Sequence, residues 1–186
     1  MRNFAIVASC LAALTLLISG ARAEPVKSGP QEGEKVPGPF KPYNVTGPNA
    51  GQYFCLYCKN GANPVAMMFA RELNPALVQL IKKIDAATAA HADDGMGSFV
   101  VFLSDSKELP AALQQLAVKE GIKHTVLATY APEGPANYHI AKDADATVVL
   151  YSHLTVKANH AYRKGEMQAK DADVILSGLP KIFADE

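Results

Sequence analysis

The sequence lacks an excess of charge of either sign, is poor in cysteine, and has no long apolar run beyond its first twenty positions. Eighteen basic residues are balanced by 18 acidic ones across 186 positions. That balance excludes the basic surface expected of a protein that binds nucleic acid or an anionic membrane. Past Ile18 no stretch approaches the roughly 18 uninterrupted apolar residues of a bilayer-spanning helix, so no membrane association is expected of the rest of the chain. Cysteine is confined to Cys10, Cys55 and Cys58.

What is present begins with Met1 and Arg2, an apolar run from Phe4 to Ile18, and the small-residue sequence Ala21-Arg22-Ala23 ahead of Glu24-Pro25. This is the three-part layout of a cleavable secretory signal, and residues 1–23 are read as one. The expected product is periplasmic or secreted. Cys10, in Val7-Ala8-Ser9-Cys10, precedes most of the apolar run rather than following it, so lipidation there is not expected. Its removal with the signal leaves Cys55 and Cys58 as the only thiols, free to pair in an oxidising compartment.

Residues 24–48 carry prolines at 25, 30, 37, 39, 42 and 48 and glycines at 29, 33, 38 and 47. No regular helix survives that composition, and the segment reads as a tail or linker that adds little to folding. The folded domain is placed at 49–186. Pro64 to Arg71 is almost continuously apolar, as in a strand covered on both faces. Asn74 and Pro75 supply a helix cap and first turn, followed by Leu77, Leu80, Ile81 and Ile84 at helical spacing towards His91. Ser98 to Ser104 is a second interior strand. Asp105 and Glu108 resemble a capping box before a helix that Gly121 stops. A short strand from Thr125 to Tyr130 follows. Thr147 to Ser152 and Thr155 to Tyr162 suggest a hairpin turning at His153 and Leu154, and a helix from about Asp171 is broken near Gly178 and Pro180. The order specifies an α/β protein with a mixed central sheet flanked by helices.

This order resembles the thioredoxin-like three-layer sandwich in the form found in peroxiredoxins and periplasmic thioredoxin-like reductases. Pro64 to Arg71 is similar to the central strand of those proteins, Ser98 to Ser104 to the next parallel strand, and Tyr138-His139-Ile140 with Ala146 to Leu150 to the approach to the fourth. The resemblance implies a reactive cysteine just after the central strand, where this chain has Arg71-Glu72-Leu73-Asn74. It also implies a cis-proline before Thr147, where this chain has Ala146. A cis bond without proline costs about 2.5–4 kcal/mol.

The remaining thiol chemistry lies in Cys55-Leu56-Tyr57-Cys58. At this spacing one thiolate attacks a substrate disulfide and the other resolves the mixed disulfide. Such a dithiol takes a protein thiol or disulfide as partner and needs no cofactor. Lys59 places a positive charge beside Cys58, whereas Lys59 to Pro64 has the composition of a turn and not of a helix start. Two other readings stay open: a structural disulfide in a binding or scaffold module, and half of a zinc knuckle, since a glycine, Gly61, follows Cys58 after two residues. The histidines at 91, 124, 139, 153 and 160 show no paired ligand spacing. Tyr53, Phe54 and Tyr57 surround the cysteines as a partner patch or as packing, Met67 and Met68 read as core, and Asn44-Val45-Thr46 matches a glycosylation acceptor. Intact-mass measurement of the exported protein is expected to show a chain starting at Glu24 with no acyl group; retention of Cys10 would overturn the assignment of the leader.

Overall fold

The computed structural model describes residues 24–184, so the leader and Cys10 lie outside the described residues. Seven strands form one sheet in the order β2-β1-β5-β4-β3-β6-β7. They are β1 (Tyr43–Asn44), β2 (Gln52–Tyr53), β3 (Val65–Ala70), β4 (Gly97–Leu103), β5 (Thr125–Tyr130), β6 (Ala144–Ser152) and β7 (Thr155–Arg163). Strands β3, β4 and β5 are parallel, and the pairs on either flank are antiparallel. All six residues of β3 are buried, as a parallel strand with both faces covered requires.

Alternation along the strands divides the core. Met68, Val100, Phe102, Leu127 and Val148 point to one face, where they meet α2 (Pro75–Ala90), α3 (Leu109–Glu120), α4 (Asp171–Ser177) and α5 (Pro180–Phe183). The steps from β3 to β4 and from β4 to β5 run in one direction across the sheet, so crossovers of the same hand put α2 and α3 on the same side. Asn74 caps α2 as expected, its Oδ1 accepting the Leu77 N–H at 2.9 Å. From the middle of α2, Asp85 Oδ1 accepts the N–H groups of Lys123, His124 and Thr125 at 3.0, 2.7 and 2.7 Å, pinning the start of β5 to the helix. The expected capping box at Asp105 and Glu108 does not form. Pro110 fits the first turn, so α3 starts at Leu109 with Glu108 itself in the cap position, where it accepts a hydrogen bond from the Ser106 hydroxyl.

The opposite face carries Val65, Met67, Phe69, Phe99, Val101 and Tyr151. Its cover is mostly irregular chain: the short helix α1 (Leu56–Asn60), a 3-10 turn at Ala136–Tyr138, and the proline-rich segment before β1. That segment is packed on the domain and is not a free tail. Val36 and Phe40 are buried in this core, and Phe40 packs against Phe69, Tyr130 and Tyr138. Ser28 Oγ shares a buried hydrogen bond with Thr147 Oγ1 at 2.7 Å, and Asn159 Nδ2 donates to the carbonyls of Ser28 and Pro30. Gly33 and Val36 donate to Val156 and Leu154, while Val156 donates back to Glu34. Proline withholds helix, but it does not prevent an extended strand of chain from giving its carbonyls and its few apolar side chains to a sheet.

The β6–β7 hairpin turns at His153 and Leu154 as expected, with φ of 49° and 59°. Two positive φ values match the right-handed twist of a two-residue hairpin, a conformation that usually selects Asn-Gly. Here outside bonds hold it, from His153 N–H to the Ala62 carbonyl and from Val36 N–H to the Leu154 carbonyl. Deleting residues 24–38 is therefore expected to lower the melting temperature by about 5 °C or more, each kcal/mol lost shifting a domain of this size by about 2–4 °C. An unchanged temperature in a thermal melt would mean that the packing of this segment contributes nothing.

Candidate dithiol site

Cys55 and Cys58 are joined as a disulfide with their Cα atoms 5.2 Å apart. Contrary to the expectation of a turn without helix, α1 starts inside the motif, and Cys55 is its N-cap. The Cys55 Sγ accepts the Cys58 N–H at 3.0 Å, and the Cys55 carbonyl accepts the Lys59 N–H at 3.1 Å. Turn-forming residues end the helix rather than prevent it: Gly61, at φ 54°, donates its N–H to the Tyr57 carbonyl. The helix passes so close to β4 that a Cβ on Gly97 would come within 2.2 Å of Asn60 Oδ1, which explains the glycine there.

The two sulfurs differ in access. Leu56 is sunk in the core beneath the helix, and Cys55 is only 7% exposed, whereas Cys58 and Lys59 lie at the surface. Below the motif, Tyr57 sits half-buried near Tyr138 and Tyr151. Burial first, and neighbouring tyrosines second, push both of those hydroxyls well above the usual tyrosine range, so they stay neutral. Tyr138 donates to the Gly38 carbonyl at 2.6 Å.

The position that usually carries a thiol lies at the other end of β3. Arg71 there turns its guanidinium onto three backbone carbonyls, those of Ala144, Pro132 and Ala141, at 3.0, 2.7 and 3.3 Å. Ala146 pairs with Ala70 within the sheet, and no peptide bond among the described residues is cis. Beside this end a cleft of about 490 Å³ is lined by Glu72, Asn74, Gln79, Asp145 and Lys164 among others. Glu72 pairs with Lys164, and Asn74 Nδ2 donates to Asp145 Oδ2 at 3.3 Å. Burial, and then the negative charge of Glu72, raise the Asp145 carboxyl above its ordinary value of 3.8. Neither the Arg71 fan nor this carboxylate was legible in the sequence, because Ala141, Ala144 and Asp145 lie some 70 residues from Arg71 and Glu72 and meet them only across the sheet.

The histidines do not converge on the dithiol. His91 stacks on Phe183 at 4.1 Å and contacts Asp94, His153 occupies the hairpin turn, and half-buried His160 on β7 has its pKa lowered chiefly by desolvation. His124 lines a small cleft that Lys59 also borders. Among the described residues no three His, Cys, Asp or Glu side chains gather in a manner that could hold a metal ion. Asn44 is 1% exposed, which closes it to glycosylation, and Met67 and Met68 are core. Phe54 and Tyr57 pack partly on the sheet, while Tyr53 is 72% exposed and leans edge-on against Tyr43.

No protein-family model and no curated protein sequence matches the chain. Solved structures do. An uncharacterized conserved protein from Geobacillus kaustophilus aligns with a TM-score of 0.60 at 14% identity, over 84% of this chain and 82% of that one. A secreted Mycobacterium tuberculosis disulfide oxidoreductase homologous to E. coli DsbE gives 0.56 at 13% identity, over 76% and 94%. Peroxidoxin BcpB from Mycobacterium tuberculosis gives 0.55 at 14% identity, over 84% and 97%. The fold is thioredoxin-like. At such identity the likeness extends to architecture and not to activity, which has to be argued from the site.

The raised carboxyl makes a prediction about acid stability. A folded-state pKa above the unfolded one means that the native protein holds the Asp145 proton more tightly, so this group costs stability as pH rises from about 3.8 through its folded value. Asp145→Asn keeps an acceptor for Asn74 and removes the charge. It is expected to melt above the wild type at pH 7, with the difference fading below pH 4; an equal difference at both pH values would show that the charge is not the cause.

Proposed function

We propose that the chain is an exported thiol-disulfide exchange protein in which Cys58 is the reacting sulfur and Cys55 the resolving one. The observation that carries this reading is the unequal access of the pair, with Cys58 at the surface beside Lys59 and Cys55 buried at the helix cap. In the reduced protein the Cys58 thiolate, favoured by the Lys59 charge, attacks one sulfur of a substrate disulfide. A bond forms between Cys58 and that sulfur, and the other substrate sulfur leaves as a thiolate and takes a proton from water. Cys55 then loses its proton and attacks Cys58 Sγ, expelling the second substrate thiolate and restoring the Cys55–Cys58 bond. Two electrons pass from the pair to the substrate, and no cofactor takes part. In the reverse direction a substrate thiolate attacks Cys58 Sγ and Cys55 leaves, its developing charge met by the Cys58 N–H.

A purely structural bridge gains little at this spacing. Closing a loop of four residues limits the unfolded chain by about 2 kcal/mol, against about 3 for a 15-residue loop, and the bond links no distant elements. The second reading, a binding or scaffold module with the pair oxidised or sharing a metal with a partner, draws on the absence of a thiol at Arg71 to Asn74 and of proline at 146. Export is supported by the leader layout of residues 1–23.

The reduction potential of the pair separates the readings: a value between about −270 and −120 mV is expected, and one below about −300 mV marks a structural bond. Cys55→Ser is expected to trap a mixed disulfide through the exposed Cys58, whereas Cys58→Ser traps little, and each abolishes multiple turnover. Absent exchange in the wild type, with a large stability loss in both variants, would leave the structural reading. Stoichiometric zinc lost on mutating either cysteine would support the metal reading.

A further inference from the structure

A dithiol at the far end of β3 from the usual site needs its own means of holding a substrate. Strand β2 ends two residues before Cys55 and is the outermost strand of the sheet on that side. Its pairing shows which groups are free. Phe54 N–H donates to the Pro42 carbonyl, so the main chain of Phe54 faces β1. Tyr53 lies opposite Tyr43 in the same antiparallel register, and in such a ladder successive residues direct their N–H and C=O to opposite sides. The N–H and C=O of Tyr53 therefore face outward, where no described strand pairs with them. The Tyr53 ring is 72% exposed and braced edge-on by Tyr43 at 5.4 Å, an aromatic shelf beside this open edge. Between Lys41 and Arg71 the only charged residue is Lys59, next to Cys58.

We propose that the outer edge of β2 is the substrate-docking edge of the dithiol, taking an extended polypeptide segment by main-chain pairing with Tyr53 and presenting that segment's cysteine to Cys58. The proposal rests on the exchange reading. Main-chain pairing supplies affinity without regard to sequence, and the Tyr53 ring covers one side chain of the bound segment. Lys59 favours a segment with an acidic residue beside its cysteine. The length of free edge, one residue's pair of hydrogen-bonding groups, suits a transient substrate and not a permanent partner, and its shortness guards against edge-to-edge aggregation.

The test uses Cys55→Ser, in which Cys58 is the sole thiol expected in the exported protein, and follows mixed-disulfide formation with two probes. One is an extended nonapeptide carrying a central cysteine as a disulfide; the other is 2-hydroxyethyl disulfide, which has no peptide backbone. The quantity read is the ratio of the two rate constants. Adding Tyr53→Pro removes the outward N–H, at an edge position where proline is tolerated, together with the ring, and is expected to lower the ratio about fivefold or more, the loss of about one hydrogen bond and of the ring contact. Methylating the peptide's main-chain nitrogens on either side of its cysteine should produce a similar fall without altering the protein. Glutamate beside the peptide cysteine should react faster than lysine at low salt. Equal ratios for Tyr53→Pro and for the methylated peptide would overturn the docking edge and leave exchange intact. Failure of both probes to react would overturn the exchange reading and the docking edge with it.

Discussion

Strand β3 is hydrogen-bonded along both edges and buried on both faces, and the neighbouring elements take their positions from it. Val65 to Ala70 run parallel to β4 on one side and antiparallel to β6 on the other, with no residue of the six at the surface. A strand in that position cannot slip by one residue, because a slip would exchange the side chains of two separate cores. Its ends are thereby fixed: α1 and the dithiol before it, Arg71 and the Asn74 cap after it.

The two faces of the sheet are closed by different means. Four helices bury regular apolar stripes on one face, and the clamp of Asp85 on three N–H groups at the start of β5 ties the longest of them to the parallel core. On the other face α1 is short and the 3-10 turn shorter still, so the proline-rich segment completes the layer. Its hydrogen bonds to the β6–β7 hairpin satisfy main-chain groups of both, and the bond from Val36 to Leu154, with that from His153 to Ala62, holds His153 and Leu154 in a turn these residues do not prefer.

The Cys55–Cys58 pair and the position that carries the thiol in the proteins this chain resembles lie at opposite ends of β3. At the usual end of β3 the guanidinium of Arg71 fastens the loop leading into β6 through three carbonyls, and an acidic cleft takes the place beside it. At the opposite end a capped turn of helix exposes one sulfur and buries the other. The helix is short and brings few aligned peptide dipoles to the pair; Lys59 follows Cys58 in its last turn, and the Cys58 N–H donates to Cys55 Sγ.

The sequence by itself determined β3, β4, β5, the β6–β7 hairpin and helices α2, α3 and α4, because the apolar period of each is local and stops such as Gly121 after α3 and Pro180 after α4 act within one turn. It also located the dithiol and the missing thiol at Arg71 to Asn74. The tertiary structure decided what depends on partners distant in the chain. The proline-rich segment carries no periodicity of its own, so only its contacts with Thr147, Val156 and Asn159 show that it belongs to the core. A helix of five residues leaves too short a pattern to read, and what sustains it is Leu56 packed beneath and a cysteine sulfur at its cap. Which of two cysteines in one short motif faces solvent is likewise set by the sheet under them, since the burial of Leu56 turns Cys55 inward and leaves Cys58 outside.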